Sequence, residues 1–327
     1  MDNASVPDIT FEERAEYERG FSAFFDKHIE PGLSTMEQQR VKVLMERPYR
    51  WIAGVTAFIV MLGISYLLLL TNADSDFTEV ILRIFFILAL VVGVWIDAPV
   101  RSFQHARKQN ILPKVVEFFG LTYAPKGALS WGDVAASDIV RAGEEHLLIC
   151  GDEVSGTYHG GTLSVTDVKT RYRSGKSTRQ LYRGLFVCAK FQEPFRGQTV
   201  IIGNREQITD ISESVAKGKL QPVELESNDF NKTFDVYSSD QVEARELLTP
   251  DIMERLLDLS RIHADAPIRC SYVNQKLYLA IKEPRDFFVP GNIKTSVYDT
   301  EELHDYLAEI HNIFSIVDIL KLNRQKI

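Results

Sequence analysis

Two long apolar stretches near the start of the chain dominate its pattern of hydrophobic and polar positions. Residues 51–70 carry no charged side chain, and residues 80–96 carry one, Arg83. A helix of about 20 apolar residues spans the roughly 30 Å hydrocarbon core of a bilayer. Arg83 lies one turn from the polar segment between the stretches, where it can reach the interface and pair with Glu79. The pattern therefore predicts a transmembrane helical hairpin over residues 51–96.

The flanking pattern predicts helices before the hairpin and a mixed domain after it. Residues 1–50 are predicted as a cytoplasmic helical arm and 97–140 as juxtamembrane helices, with breaks or restarts at Pro48, Pro99 and Pro113. Residues 141–327 alternate apolar and polar positions between turn residues, and this pattern is typical of antiparallel strands with flanking helices. This cytoplasmic domain can divide into two subdomains near residue 225. The predicted class is α+β, with a two-helix transmembrane hairpin followed by the cytoplasmic domain.

The charges around the hairpin predict its orientation. Lys and Arg precede the first stretch and follow the second, whereas every charged residue of the loop between the stretches is acidic. By the positive-inside rule, both termini are expected in the cytoplasm. The basic flanking residues are Arg40, Lys42, Arg47, Arg50, Arg101, Arg107, Lys108 and Lys114.

The composition of the chain argues against some classes of function. The 327-residue chain has a formal net charge of −8, which argues against nucleic-acid binding. Its three cysteines are widely spaced and form no CxxC pair, as in proteins of a reducing compartment. We expect no cofactor and no metal site.

Two motifs resemble functional sites but have simpler interpretations. The sequence SGKST at 174–178 is similar to the end of a phosphate-binding loop, but Thr170 stands where that motif needs glycine. A hairpin turn between two strands is the favoured interpretation. Glu301 and His304 have the spacing of a metal-ligand pair on a helix, yet no second such helix is present, so we interpret them as part of a solvated face.

A polar cluster offers the best candidate for catalysis. Asp240, Glu243 and Arg245 lie close together in sequence, and such groups can serve in acid–base chemistry. Helix capping and a local ion pair account for the same three residues without catalysis. The alternative function is therefore a membrane-tethered enzyme with its site at this cluster.

A basic run stands out against the acidic chain. No acidic residue interrupts it, and its first three cations alternate with Thr170 and Tyr172, so they share one face of a strand. An anionic leaflet attracts such a face with about 1 kcal/mol for each Lys or Arg. We expect this run to bind lipid headgroups or an acidic partner, although an ordinary solvated hairpin remains an alternative. The candidate residues are Lys169, Arg171, Arg173, Lys176, Arg179 and Arg183.

Two segments carry a resemblance to a known family. The sequences YRGLFVCAKFQEPFRGQTVII (182–202) and FDVYSSDQVEARELLTPDIMERLLDL (234–259) are similar to bacterial membrane proteins of the domain of unknown function 3137 family. The resemblance covers roughly residues 110–320. It implies a multi-pass protein of the bacterial inner membrane without an established activity, suggests a LemA-like membrane protein as a candidate partner, and supplies no catalytic residues.

These observations favour a non-enzymatic protein. We expect a protein anchored in the inner membrane by two spans, whose α+β domain binds a protein partner or the anionic inner leaflet. A membrane-tethered enzyme and a subunit of a larger membrane assembly are the alternatives.

Overall fold

The computed structural model describes residues 9–70, 75–141, 146–158, 161–175, 177–191, 193–203, 206, 211–262, 267–282, 288 and 291–321. The helices are α1 (Phe21–His28), α2 (Glu30–Leu70), α3 (Ser75–Phe118), α4 (Trp131–Ser137), α5 (Glu213–Ala216), α6 (Asn228–Thr233), α7 (Gln241–Leu247), α8 (Pro250–Ile262) and α9 (Glu301–Lys321). The strands are β1 (Thr122–Ala124), β2 (His146–Tyr158), β3 (Gly161–Ser174), β4 (Ser177–Lys190), β5 (Thr199–Gly203), β6 (Gln221–Pro222), β7 (Phe234–Ser238), β8 (Ile268–Val273) and β9 (Lys276–Lys282). The predicted α+β class, with a long helical hairpin before antiparallel strands, is confirmed.

The chain divides into two compact units. One unit comprises residues 1–111 and 290–304, and the other comprises 112–289 and 305–327. The first unit therefore contains the arm, most of the long hairpin and a segment that returns from far along the chain. The second unit contains the strands.

In the first unit, α2 and α3 are long and apolar enough to cross a membrane. Only 11% and 6% of the residues in their most apolar windows are buried, whereas the core helix of a water-soluble protein would be mostly buried. Gly54 provides a close contact between the two helices, because a Cβ placed there would lie 2.6 Å from Cδ1 of Ile96. The hairpin thus leaves most of its apolar surface exposed.

Both helices continue through their prolines. The predicted interruptions at Pro99 and Pro113 are wrong, since α3 runs unbroken from residue 75 to 118, and Pro48 lies inside α2. A proline removes the N–H that would bond to the carbonyl four residues earlier, which for Pro99 is the carbonyl of Trp95. The Nη1 atom of Arg50, on α2, donates to that carbonyl at 3.2 Å. The neighbouring helix therefore replaces the missing hydrogen bond.

The returning segment, 291–304, is held by polar contacts within the first unit. Glu37 accepts a hydrogen bond from the backbone N–H of Val297 at 2.9 Å, and Arg40 donates to the carbonyl of Ile293 at 3.0 Å. Arg107 of α3 forms a buried ion pair with Glu302. These contacts join residues more than 190 positions apart in the sequence.

In the second unit, the described strands form one antiparallel sheet in the order β1-β2-β3-β4-β9-β8-β5-β7-β6. Strands from both sides of residue 225 belong to this sheet. One face packs against α4 through a core that includes Val168, Tyr182 and Phe186.

The long hairpin of β3 and β4 turns where the sequence predicts. Ser174 pairs with Ser177, and Gly175 has a φ of 57°, which glycine adopts without strain. The similarity of SGKST to a phosphate-binding loop is therefore a feature of the turn, because the motif requires a strand followed by a helix.

Candidate functional site

The basic run lies mainly on one face of the β3–β4 hairpin. Lys169, Arg171 and Arg173 alternate along β3, and Lys169 pairs with Arg183 on β4. Directly paired residues of antiparallel strands lie on the same side of the sheet. These four cations, Lys169, Arg171, Arg173 and Arg183, are called the basic face below.

A β-bulge removes one candidate from this face. Thr170 pairs with Tyr182 and Arg171 with Gln180, so Leu181 is the extra residue of β4. Arg179 pairs with Tyr172 and therefore lies on the opposite side of the sheet. Lys176 lies outside the described residues.

Two exposed apolar residues adjoin the basic face. On β2, Leu147 pairs with Arg171 and Ile149 pairs with Lys169, so both lie on the same side as the cations. Their side chains are 48% and 41% exposed. Sequence reasoning identified the strand but missed this pair, because only the register between β2 and β3 shows which side they occupy.

The four cations of the basic face differ in exposure. Arg171 and Arg173 are exposed, and Arg183 is half-buried. Lys169 has an acidic neighbour, with its Nζ 3.9 Å from a carboxylate oxygen of Asp167, which is itself buried. The exposed positive charge of the face is therefore assigned to Arg171 and Arg173.

In the polar cluster predicted as an alternative site, the side chains form hydrogen bonds that stabilise a helix end and a loop. Asp240 caps α7 by accepting hydrogen bonds from the backbone N–H groups of Val242 and Glu243 at 3.0 and 2.9 Å. Glu243 is 4% exposed, and its carboxylate accepts from the N–H groups of Arg196 and Gly197 at 2.8 and 2.7 Å.

The third member of that cluster points along its own helix. Arg245 is exposed and donates to the carbonyl of Gln241 at 2.9 Å. Capping and loop contacts therefore account for the positions of Asp240, Glu243 and Arg245.

A buried ion pair that the sequence did not reveal connects β8 of the sheet to Glu206, which lies outside the strands. Arg269 of β8 donates two hydrogen bonds of 2.6 Å to Glu206 and a third of 2.9 Å to the carbonyl of Ile139. The guanidinium lies 5.6 Å from the centre of the Tyr182 ring. Because its partners are 63 positions apart, the pair leaves no local signal in the sequence. Its contacts indicate a structural role.

The described residues provide neither a metal cluster nor an activated thiol. No group of three His, Cys, Asp or Glu side chains among them is placed to hold a metal ion. Burial raises the pKa of Cys188 to about 11 and that of Cys270 to about 12, so both thiols stay protonated at neutral pH. Glu301 and His304 do not converge as ligands, because Glu301 pairs with Arg14 and the buried His304 pairs with Glu18. The prediction of a solvated face is thus wrong for His304.

Comparison with known proteins gives one family match. Residues 180–322 match the family model described as protein of unknown function (DUF3137). No curated protein matches the chain. A solved structure, the crystal structure of the mycobacterial trehalose monomycolate transport factor A, TtfA, is 7% identical over 65% of this chain and 94% of that chain, with a TM-score of 0.34. A likeness this low supports no statement about function.

The family match falls on the strands and helices whose sequences carry the resemblance noted above. It begins within β4 and ends just after α9, so it includes the polar cluster and Arg183 but leaves the long helical hairpin and β3 outside. The match over residues 180–322 thus supports the resemblance of this part of the chain to the family described as protein of unknown function (DUF3137).

Proposed function

We propose that the protein is a membrane-anchored, non-enzymatic binding protein whose α+β domain attaches to anionic lipid headgroups through the basic face. The observation that carries this proposal is the placement of four cations beside exposed Leu147 and Ile149 in a chain of net charge −8. An acidic chain needs such a local reversal of charge to bind an anionic surface.

The combined chemistry favours a lipid surface. Each Lys or Arg near an anionic leaflet contributes about 1 kcal/mol, and burying an apolar side chain contributes about 1.5–3 kcal/mol. The cations match the headgroup phosphates, and Leu147 and Ile149 match the boundary with the acyl chains. An acidic peptide would use the cations but would not require the apolar pair.

The lengths of the elements also support this function. The part of α3 beyond residue 96 is about 30 Å long at 1.5 Å per residue, so the domain is tethered near the bilayer. The β3–β4 hairpin, with 14 residues in each strand, is about 45 Å long at 3.3 Å per residue. The tether of about 30 Å formed by α3 gives a high effective concentration of lipid around the domain, so a weak interaction with the surface suffices.

We infer further that the membrane is a bacterial inner membrane with both termini in the cytoplasm. The basic residues flanking the two spans support this orientation, and the cytoplasmic leaflet is the anionic one. A LemA-like protein remains a candidate partner that the family resemblance suggests.

Vesicle sedimentation tests the proposal. The full chain, held in phosphatidylcholine nanodiscs, is mixed with sucrose-loaded vesicles of phosphatidylcholine with or without phosphatidylserine. We expect sedimentation only with the anionic vesicles. Reversing two charges with Arg171→Glu and Arg173→Glu should weaken binding about 100-fold or more, because it changes the charge of the face by four units.

A matched variant controls for total charge. Lys219→Glu with Arg261→Glu changes the net charge equally at exposed positions outside the basic face and should bind like the native chain. Leu147→Ser with Ile149→Ser should weaken binding while leaving all charges in place. Equal sedimentation with neutral and anionic vesicles, or equal losses from both charge-reversed pairs, would refute lipid binding by this face and favour a protein partner.

A further inference from the structure

Thr178 lies at a position on the hairpin where a single modification would alter the basic face. It is exposed and pairs directly with Arg173, so it lies on the same side of the sheet as the four cations. Directly paired residues have Cβ atoms about 5 Å apart, and diagonal neighbours about 7–8 Å apart. A phosphate on Thr178 would therefore lie within reach of both Arg173 and Arg171.

The end of the hairpin can be presented to an enzyme at little cost. β2 begins at His146, which pairs with Tyr172, and β9 ends at Lys282, which pairs with Gly184. Beyond these pairs, the described residues of the hairpin end pair only with each other, as Arg173 with Thr178 and Ser174 with Ser177. Among the described residues, only these two pairs would have to open to free Thr178 for an enzyme.

We propose that Thr178 is phosphorylated by a serine/threonine kinase with an acidic substrate groove, and that the phosphate releases the basic face from the membrane. This regulatory role rests on the function proposed above. The threonine Oγ1 attacks the terminal phosphorus of a nucleoside triphosphate, and the bond from that phosphorus to the bridging oxygen breaks. The nucleoside diphosphate leaves, and the hydroxyl proton passes to the base of the kinase.

The charge change is large enough to act as a switch. A phosphothreonine carries a charge of about −1.5 to −2 at pH 7, which cancels roughly half of the four positive charges of the basic face. Removing the attraction of two cations should weaken binding to anionic vesicles by about 30-fold. Phosphorylation of basic segments releases proteins from anionic membranes by this effect.

Two measurements test the inference. The full chain is purified from native membranes of growing and starved cells with phosphatase inhibitors, and peptides covering residues 177–179 are examined by mass spectrometry. We expect phosphate on Thr178. In the vesicle assay, Thr178→Glu should weaken binding several-fold, whereas Thr178→Val should bind like the native chain. Val242→Glu adds the same charge at an exposed position on α7 and should have no effect.

The outcomes separate this inference from the function on which it rests. Anionic-vesicle binding by the native chain, together with Thr178 found only unmodified, would overturn the modification and leave the lipid-binding function standing. Equal binding by Thr178→Glu and Thr178→Val would overturn the switch. A native chain that never prefers anionic vesicles would overturn the lipid-binding function and the switch with it, and phosphate on Thr178 would then stand only as a modification.

Discussion

Glu18 is a buried carboxylate that its neighbours keep ionised. Burial alone would raise its pKa, but hydrogen bonds from His304 at 2.7 Å and from the backbone N–H of Arg14 at 2.6 Å outweigh burial. The net effect holds the pKa of Glu18 below its usual range. The ring of His304 also stacks on Phe11, with centroids 4.3 Å apart. His304 therefore contacts two residues of the N-terminal arm from segment 291–304.

The lowered pKa of Glu18 predicts that the arm is sensitive to acid. A carboxylate whose pKa is lower in the folded state stabilises the fold above its unfolded pKa, about 4.3, and loses that effect as the pH falls through the folded value. We expect Glu18→Gln to cost about 1–3 kcal/mol at pH 7 and much less near pH 3. Thermal unfolding of the detergent-solubilised chain across this range measures the difference. The exposed Glu12→Gln should show no such change, and a pH-independent cost for Glu18→Gln would contradict this explanation.

Two adjacent glutamates allow a matched comparison of buried and exposed ion pairs. Glu302 pairs with Arg107, which is 2% exposed, whereas Glu301 pairs with Arg14 at 2.6 Å in an exposed position. Removing one partner of a buried pair leaves an uncompensated charge and costs about 3–5 kcal/mol. Exposed ion pairs contribute little to the free energy of unfolding. We therefore expect Glu302→Gln to lower the unfolding temperature strongly and Glu301→Gln to leave it nearly unchanged. Similar shifts for both variants would refute this assignment.

At the scale of elements, the prolines mark where sequence reasoning was insufficient. A proline inside a helix leaves a carbonyl without its donor, so local rules predict a break. Arg50, 45 positions from Trp95, provides the donor and also lies with its guanidinium 4.8 Å from the centre of the Trp95 ring. Such compensation by a neighbouring helix has no signature in the residues around the proline.

This compensation predicts a rescue experiment. Arg50→Ala should leave the Trp95 carbonyl without a donor and destabilise the hairpin by about 1–3 kcal/mol. Pro99→Ala restores a backbone N–H that can bond to the same carbonyl, so the double variant should recover part of the loss. The unfolding temperatures of the native chain, the two single variants and the double variant are measured in detergent. Together they give the coupling between Arg50 and Pro99. Strictly additive effects would show that Arg50 does not replace the missing bond.

For the whole molecule, local signals predicted the two long apolar helices, the strands and the 174–177 turn. Each of these depends on hydrophobic period or turn chemistry over a few neighbouring residues. The basic face was predicted in part, because alternation placed Lys169, Arg171 and Arg173 together. The bulge at Leu181, which turns Arg179 to the other side, depends on pairing between strands and could not be read from either strand alone.

The returning segment 291–304 limits which N-terminal truncations leave a soluble protein. Ile293, Val297 and Leu303 are buried, with exposures of 3%, 4% and 5%, and this segment belongs to the same compact unit as the arm and the hairpin. A truncated chain that begins at Leu112 would keep these apolar side chains but lose the helices of that unit. An apolar surface would therefore be exposed to water. Solubility after removing the anchor would therefore require redesign at positions almost two hundred residues downstream of it.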